Sequence, residues 1–234
     1  MCTLLFRHCP NDTYPVAILS NRDEIYKRLS EGWAWRGRRT RYFAPKDMEA
    51  DGTWIGLNEH GVVTALTNIF PGRQDPDFRS RGALVTDALG LARAEQAPGL
   101  FKRQIGTHQY NNFNILVADK IRAYLFTWMG LDLIQQDLAP GAYEVANKPF
   151  EGTRLSAGPE TNEGWMASIS SRLLEHPDAC RHGDSYGTRC SHKLLIHGTE
   201  PCRSMVWHLE GHPCQGSYKL VLAPGMKHDE PPAK

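Results

Sequence analysis

The second residue of the chain, Cys2, is the first candidate for chemistry. Removal of Met1 would leave Cys2 with a thiol and a free α-amino group. An α-amino group titrates at about pH 8, so it can act as a general base at neutral pH. One residue would then carry both nucleophile and base. The alternative is that Cys2 is a small buried residue at the start of a strand.

A polar cluster follows the apolar segment VAILS, and it contains Asn21, Arg22, Asp23 and Glu24. The segments CTLLF and VAILS flank CPNDTYP, whose Pro, Asn and Asp residues predict a tight turn between two strands. In such a hairpin the end of the second strand lies near the start of the first. Asp23 can then balance the α-ammonium, and Arg22 can favour the thiolate or hold an anionic substrate group. A solvated turn rich in charge is the alternative.

The elements that must position these groups alternate between hairpins and helices. The segment SEGWAWRGRRTRYFAPK has neither helical nor strand periodicity, which predicts a long surface excursion, whereas TWIGL and VVTALTN predict a second hairpin. Ser80 is a candidate N-cap for a helix in RGALVTDALGLARAEQ, and LFKRQI predicts another short helix. A further helix is expected around GWMASISSRLLEH. The remaining predicted strands are NFNILVA, AYLFTWM, LDLIQQD, GAYEVAN, TRCSHKLLIH, SMVWHLE and SYKLVLA.

This order contains no repeated strand–helix–strand crossover, so it argues against a parallel Rossmann-like sheet. It predicts the α+β class, with an αββα sandwich of two antiparallel sheets in one domain over residues 1–223. The tail PGMKHDEPPAK, residues 224–234, is Pro-rich and charged and is predicted to be disordered.

Composition limits the classes of partner. The net charge of +1 gives no reason to expect nucleic acid as a partner. No apolar run approaches the roughly 20 residues that span a bilayer, and the N-terminus lacks a secretory signal, so a cytoplasmic location is expected. The six cysteines would then stay reduced rather than form a disulfide framework. A charged small-molecule ligand would have to be held by a local cluster of residues, and the oligomeric state stays open.

Several blocks resemble, in order, those of the NRDE family, also called the transport-and-Golgi-organisation protein two family. The similarity runs from Met1 to about Glu210 and includes the MCT start, NRDE, DGTWIGLNEHGVVTALTN, SRG, YNNFNILVAD, VANKPFEGTR and YGTRCSHKLLI. This resemblance implies the N-terminal nucleophile hydrolase fold, which agrees with the predicted order of elements.

A more distant likeness to choloylglycine hydrolases and penicillin V acylases implies roles for three residues. Asn68 matches their oxyanion-hole position, Asn147 matches their second asparagine, and Asp23 matches the aspartate beside the nucleophile. An amide NH2 aimed at an oxyanion contributes on the order of 3 kcal/mol. Either asparagine could instead bond its own backbone at a turn. The chain departs from the acylases at Ser20, where they carry an arginine, and their later arginine matches Arg154 or Arg189.

Other polar and aromatic residues are candidates for substrate binding. Arg79 and Arg81 flank Ser80, where a helix N-terminus can favour an anion. The arginines of RGRRTR are the weaker anion candidates, because charge runs are commonly solvated. Trp54 can line a pocket with Trp33 and Trp35, although such aromatic residues can equally belong to the core. Asn21, Glu24 and Arg189 complete the predicted substrate contacts.

Two Cys-x-His pairs, Cys180 with His182 and Cys190 with His192, raise the question of a metal, as do His208, His212 and Cys214. Zinc sites usually have tighter paired spacing, so no metal site is predicted.

The family has also been linked to moving haem between compartments and to handling acyl-coenzyme A or lipid. The resemblance therefore implies a carrier as the alternative to an enzyme, with haem as its carried ligand and no required cofactor. The leading hypothesis is a hydrolase in which Cys2 attacks an amide bond of a small acyl substrate, with Asp23, Arg22, Asn68 and Asn147 assisting. A structural role in secretion is a third, weaker hypothesis and predicts an exposed apolar patch.

Overall fold

The computed structural model describes residues 2–70, 74–156, 158–175 and 179–223. Its two seven-stranded sheets are antiparallel throughout. In chain order the strands are β1 (Thr3–His8), β2 (Val16–Ile25), β3 (Ser30–Arg36), β4 (Tyr42–Asp47), β5 (Ile55–Asn58), β6 (Val63–Asn68), β7 (Phe113–Ala118), β8 (Ala123–Trp128), β9 (Leu133–Asp137), β10 (Gly141–Val145), β11 (Arg154–Leu155), β12 (Tyr186–Ile196), β13 (Met205–Glu210) and β14 (Lys219–Leu222).

Within the described residues, three α-helices accompany the sheets, namely α1 (Arg81–Ala88), α2 (Ala97–Thr107) and α3 (Asn162–Ile169). Short 3-10 helices cover Ala94–Gln96, Ser170–Leu174 and Pro201–Arg203. No helix in the described part of the chain is long and apolar enough to cross a membrane.

The first sheet has the order β11-β10-β1-β2-β12-β13-β14, and the second runs from β3 to β9 in sequence. Alternate residues of each strand point to opposite faces of its sheet. Leu4 and Ile18 of the first sheet therefore meet Leu57 and Leu116 of the second in a shared core. This arrangement confirms the predicted sandwich of two antiparallel sheets.

The helices cover the outer faces of the two sheets. Leu84 of α1 and Phe101 of α2 pack with Phe113 on the second sheet, while Trp165 of α3 packs with Leu19 on the first. The layers are therefore helix, sheet, sheet and helix, because each sheet has apolar residues on both faces.

The prediction of a surface excursion after the first hairpin is wrong, since this segment forms β3 and β4. Trp33 and Phe43 are buried and stack with ring centroids 5.3 Å apart. The intervening turn carries the arginines and places Gly37 at a φ of 81°, a conformation that glycine adopts without strain. β3 is an edge strand whose other residues are largely polar, so aromatic burial rather than strict alternation stabilises it.

The other predicted hairpins and helices are present, with different bounds. The helix after Ser80 ends at Ala88 rather than continuing through the following residues, and a 3-10 turn separates it from α2. The Ser80 Oγ accepts a hydrogen bond from the Gly82 N–H at 3.2 Å, as an N-cap does. β10 leaves the run of strands and joins the first sheet beside β1. The predicted disordered tail, residues 224–234, lies outside the described residues.

Candidate active site

A cavity of about 580 Å³ opens where β1 begins and where β2 and β6 end. Nine of the eleven predicted site residues line this cavity, whereas Asn147 and Arg189 do not. Those lining it are Cys2, Asn21, Arg22, Asp23, Glu24, Trp54, Asn68, Arg79 and Arg81.

The first hairpin brings the chain start to Asp23. β1 and β2 pair with Thr3 opposite Asn21, so the residue before Thr3 lies beside the end of β2. The Cys2 Sγ lies 3.7 Å from the Asp23 carbonyl oxygen. Cys2 is half-buried and lines the cavity, so its thiol faces the space in which a substrate would bind.

The surroundings of Cys2 favour a protonated thiol. Burial and the negative charge of Asp23 raise the pKa of the Cys2 thiol, and Arg22 opposes this shift only weakly. A thiol must lose its proton to attack a carbonyl carbon. Cys2 therefore needs a base beside it rather than a low pKa of its own.

Asp23 is held by the neighbouring strand. Its Oδ1 accepts a hydrogen bond from the Thr188 Oγ1 at 2.7 Å, and its Oδ2 lies 3.9 Å from the Arg181 Nε. Thr188 also accepts a bond from the Arg181 backbone N–H at 2.8 Å. The two strands shift register between Thr188 and Cys190, a β-bulge of the kind common beside active sites.

No sequence pattern points to Thr188 or Arg181. Thr188 stands within the YGTR block, whose resemblance to the family implies no role for its threonine. A buried threonine opposite an aspartate is visible only once β2 and β12 are known to pair.

Arg22 lies on the cavity wall against Trp54. Its guanidinium carbon is 4.1 Å from the Trp54 ring centroid, and its Nη2 lies 3.4 Å from the Glu24 Oε2 and 3.8 Å from the Asp47 Oδ2. Its buried Nη1 makes no hydrogen bond within the described residues. An unbonded buried donor is costly, so the Arg22 guanidinium retains unused hydrogen-bonding capacity at the cavity wall.

Behind Trp54, His192 is fully buried. Its two ring nitrogens each lie 3.1 Å from an indole nitrogen, one of Trp33 and one of Trp54. Burial, with His208 and Arg22 nearby, holds the pKa of His192 well below its usual value, so the ring is neutral. Burial also raises the pKa of Cys190 to about 12. Trp33 therefore belongs to the core, as does this Cys-x-His pair, whereas Trp54 reaches the cavity.

Asn68 lies on the cavity wall, whereas Asn147 does not line the cavity. Asn68 ends β6 and lines the cavity, and its buried Oδ1 makes no hydrogen bond within the described residues. The Asn147 Nδ2 donates to the Asn68 backbone carbonyl, and the Asn147 carbonyl accepts from the Phe70 N–H at 2.9 Å. Asn147 thus holds the backbone on which Asn68 is presented.

Arg81 is the cavity cation best suited to an external anion. It is the first residue of α1, and its Nη1 donates to the Asn112 carbonyl at 3.1 Å. Within the described residues it makes no ion pair, and burial lowers its pKa to about 10, which still leaves it charged at neutral pH. Gly52 follows β4 and packs against the backbone of Gly82 at the start of this helix, where a side chain would not fit. The Thr53 N–H can therefore donate to the Gly82 carbonyl at 3.2 Å.

Arg79 and Arg189 are occupied by the protein itself. The Arg79 Nη1 lies 2.6 Å from both the Gln104 Oε1 and the Tyr110 hydroxyl and 2.9 Å from the Asp87 Oδ2, so it links α1 to α2. The Arg189 Nη1 donates to the carbonyls of the turn after β2, with its bond to Tyr26 at 2.5 Å. The arginines of RGRRTR also lie outside the cavity lining.

The sheet order and the cavity define a protein with the N-terminal nucleophile hydrolase-like fold. Solved structures with this fold include penicillin V acylase from Agrobacterium tumefaciens, with a TM-score of 0.58 and 11% identity over 94% of this chain and 86% of that one. The C2A mutant of conjugated bile acid hydrolase from Clostridium perfringens gives 0.57 and 10% over 94% and 92%. An N-acylethanolamine-hydrolyzing acid amidase orthologue from Caenorhabditis elegans gives 0.53 and 13% over 83% and 92%.

The chain belongs to the Transport and Golgi organisation 2 family, whose model matches residues 1–166. The mouse homologue is 36% identical over 51% of this chain and 45% of its own length, and the human homologue is 33% identical over the same shares. The bovine homologue is 30% identical over 64% of this chain and 58% of its own. The match thus spans about half the length of these relatives, and the resemblance to the NRDE family is confirmed.

Proposed function

We propose that the protein is an N-terminal cysteine amidohydrolase that cleaves the carbon–nitrogen bond of a small acyl amide. The observation that carries this proposal is the position of Cys2, whose Sγ lies beside Asp23 in a cavity that Asn68 also lines. Removal of Met1 would expose the α-amino group of Cys2, which the raised pKa of its thiol requires as a base.

The reaction would proceed through a thioester. The α-amine takes the thiol proton as the Cys2 sulfur attacks the carbonyl carbon, and the resulting ammonium lies near the Asp23 carboxylate. The Asn68 amide donates a hydrogen bond to the developing oxyanion. Collapse breaks the carbon–nitrogen bond, and the ammonium returns its proton to the leaving amine. Water, deprotonated by the same amine, then hydrolyses the thioester and releases the acid.

The lining supports an amide substrate with an anionic or strongly polar group. Arg81 lacks an ion-pair partner within the described residues, and the Arg22 guanidinium lines the same cavity. A substrate carboxylate near these two groups would place its amide in the same cavity as Cys2. The names of the similar solved structures, an acylase, a conjugated bile acid hydrolase and an acid amidase, fit this class of reaction.

The second candidate is a carrier of haem or acyl-coenzyme A. The observation in its favour is the same pair of arginine groups, which can bind a propionate or a phosphate. The acidic groups Asp23, Glu24, Asp47 and Glu49 on the cavity wall oppose a ligand with several negative charges, such as haem or acyl-coenzyme A, more strongly than a substrate with one carboxylate. A carrier would bind its ligand stoichiometrically whether or not Cys2 is present, unless the thiolate itself binds the iron.

The first test is the intact mass of the untagged protein, alone and after reaction with a limiting amount of a small thiol alkylator. Because the freed α-amine can take the thiol proton, we expect loss of Met1 and preferential labelling of Cys2 over the exposed Cys202. Cys2→Ala provides the labelling control, and a panel of acyl amides with and without a carboxylate follows. A retained Met1, or a Cys2 no more reactive than Cys202, would remove the basis for the hydrolase.

A substrate found in this panel gives the decisive comparison. Cys2→Ala should abolish turnover while substrate still binds, because the attacking atom alone is lost. Unchanged turnover in Cys2→Ala would refute the mechanism. Stoichiometric binding of haem or acyl-coenzyme A by both proteins, with no turnover by either, would favour the carrier.

A further inference from the structure

Three potential metal ligands meet away from the cavity. Cys180 and His182 precede β12, and Cys214 lies in the connection between β13 and β14. The two sulfurs are 3.6 Å apart, and the His182 Nε2 lies 3.7 Å from the Cys180 Sγ and 3.2 Å from the Cys214 Sγ. All three ligand atoms thus lie within 4.8 Å of one another.

These separations match the edges of a tetrahedron around zinc. Zn–S bonds of about 2.3 Å and Zn–N bonds of about 2.0–2.1 Å at tetrahedral angles place two sulfurs about 3.8 Å apart, and a sulfur and a nitrogen about 3.5 Å apart. The observed distances differ from these values by at most a few tenths of an ångström. A disulfide fits less well, because bonded sulfurs lie about 2.05 Å apart.

We propose that Cys180, His182 and Cys214 bind one zinc ion. Cys180 is buried, whereas His182 and Cys214 are exposed, so an ion can enter from solvent and bind against an anchored thiolate. Three protein ligands leave the fourth position of the tetrahedron for water or a small external ligand. Cys190 and His192, the other Cys-x-His pair, lie in the core behind Trp54 and take no part.

The zinc ion would stabilise the segment whose residues hold Asp23 in place. Arg181 lies between two of the ligands, and its backbone N–H donates to the Thr188 Oγ1 while its carbonyl accepts from the Thr188 N–H. The Thr188 hydroxyl in turn donates to the Asp23 carboxylate. Zinc would tie this segment to the loop that carries Cys214, 34 residues away from Cys180. Through these bonds the ion would position Asp23 indirectly, and its presence does not depend on the proposed hydrolase activity.

The test measures zinc directly. Protein purified under reducing conditions is loaded with zinc chloride, dialysed and analysed for metal content by mass spectrometry. We expect about one zinc per chain. His182→Asn and Cys214→Ser change exposed side chains, so both variants should fold. Each variant lacks one zinc ligand, so its zinc affinity should fall by more than the roughly 10- to 100-fold loss seen when only the hydrogen-bond partner of a ligand is removed. Cys202→Ser, at another exposed cysteine, is the matched control and should retain the metal.

A second readout identifies the ligands. Cobalt in place of zinc should give the absorption bands of a tetrahedral thiolate site in the unmodified protein and in Cys202→Ser, and these bands should be lost in Cys214→Ser. Zinc content far below one equivalent in reduced, folded protein would overturn the proposal. A Cys180–Cys214 disulfide in protein taken directly from cells, or equal zinc loss in Cys202→Ser, would also overturn it.

Discussion

Replacing Thr188 with valine should destabilise the protein, because the buried Asp23 carboxylate loses a hydrogen bond. The Thr188 Oγ1 is fully buried, donates to Asp23 at 2.7 Å and accepts from the Arg181 N–H at 2.8 Å. Valine has nearly the same volume and can make neither bond. A hydrogen bond to a charged group contributes about 1.5–3 kcal/mol, and a buried donor left unbonded adds a further cost. We therefore expect Thr188→Val to lower the free energy of unfolding by about 2–4 kcal/mol.

Thr64 offers the matched control. Its buried Oγ1 donates to the Leu116 carbonyl at 2.8 Å, so Thr64→Val removes a bond of nearly the same length to a neutral acceptor. This change should cost only about 0.5–1.5 kcal/mol. Thr188→Ser should retain most of the stability, because serine keeps the hydroxyl.

Urea unfolding monitored by tryptophan fluorescence measures all three variants. The slopes against urea should agree, so that midpoints report stability. If Thr188→Val costs no more than Thr64→Val, the bond between Thr188 and Asp23 does not have the strength that its geometry implies. The rate at which an alkylator labels Cys2 in the folded Thr188→Val protein should also change, because the Asp23 carboxylate next to the thiol is no longer fixed.

Four further outcomes are expected. Asn68→Ala should lower kcat on a cleaved amide by roughly 10²–10³ with little change in KM, since the oxyanion exists only after attack; an equal loss in binding would contradict this role. Arg81→Gln should raise KM for carboxylate-bearing amides and leave uncharged ones unaffected, as steady-state kinetics on both sets would show. Alkylation of Cys2 should accelerate with rising pH, and Asp23→Asn should move this profile to lower pH, because Asp23 raises the thiol pKa. Finally, His192 stays neutral in the folded protein but takes a proton below about pH 6.5 in the unfolded chain. Acid should therefore lower the free energy of unfolding by up to about 1.4 kcal/mol per pH unit. A urea midpoint that does not change from pH 7 to pH 5 would contradict this expectation.

Much of the fold followed from local pattern. The hairpins at VAILS and VVTALTN were predictable because alternating apolar residues and turn residues specify strands over short distances. The excursion around Trp33 was mispredicted because β3 is an edge strand, where few positions are buried. β10 was found as a strand, but its place beside β1 in the first sheet was not, since sheet order depends on packing of the whole chain.

The sequence by itself determined which two residues meet at the proposed reactive centre. Cys2 and Asp23 stand 21 residues apart on one hairpin, and a tight turn fixes which residues of two adjacent strands meet. The contact between Cys2 and Asp23 lies within one hairpin, so pattern and spacing were enough to predict it. Asn68, at the end of β6, was identified instead by the likeness to the acylases.

Only the tertiary structure decided which residues support that centre. Thr188 reaches Asp23 across 165 positions, Asn147 reaches the backbone of Asn68 across 79, and Cys214 reaches Cys180 across 34. Arg189, an equally good candidate by sequence, instead bonds the carbonyls of a turn. A side chain's role at such distances depends on which strands pair and where a bulge shifts their register, and no local pattern of residue types encodes that pairing.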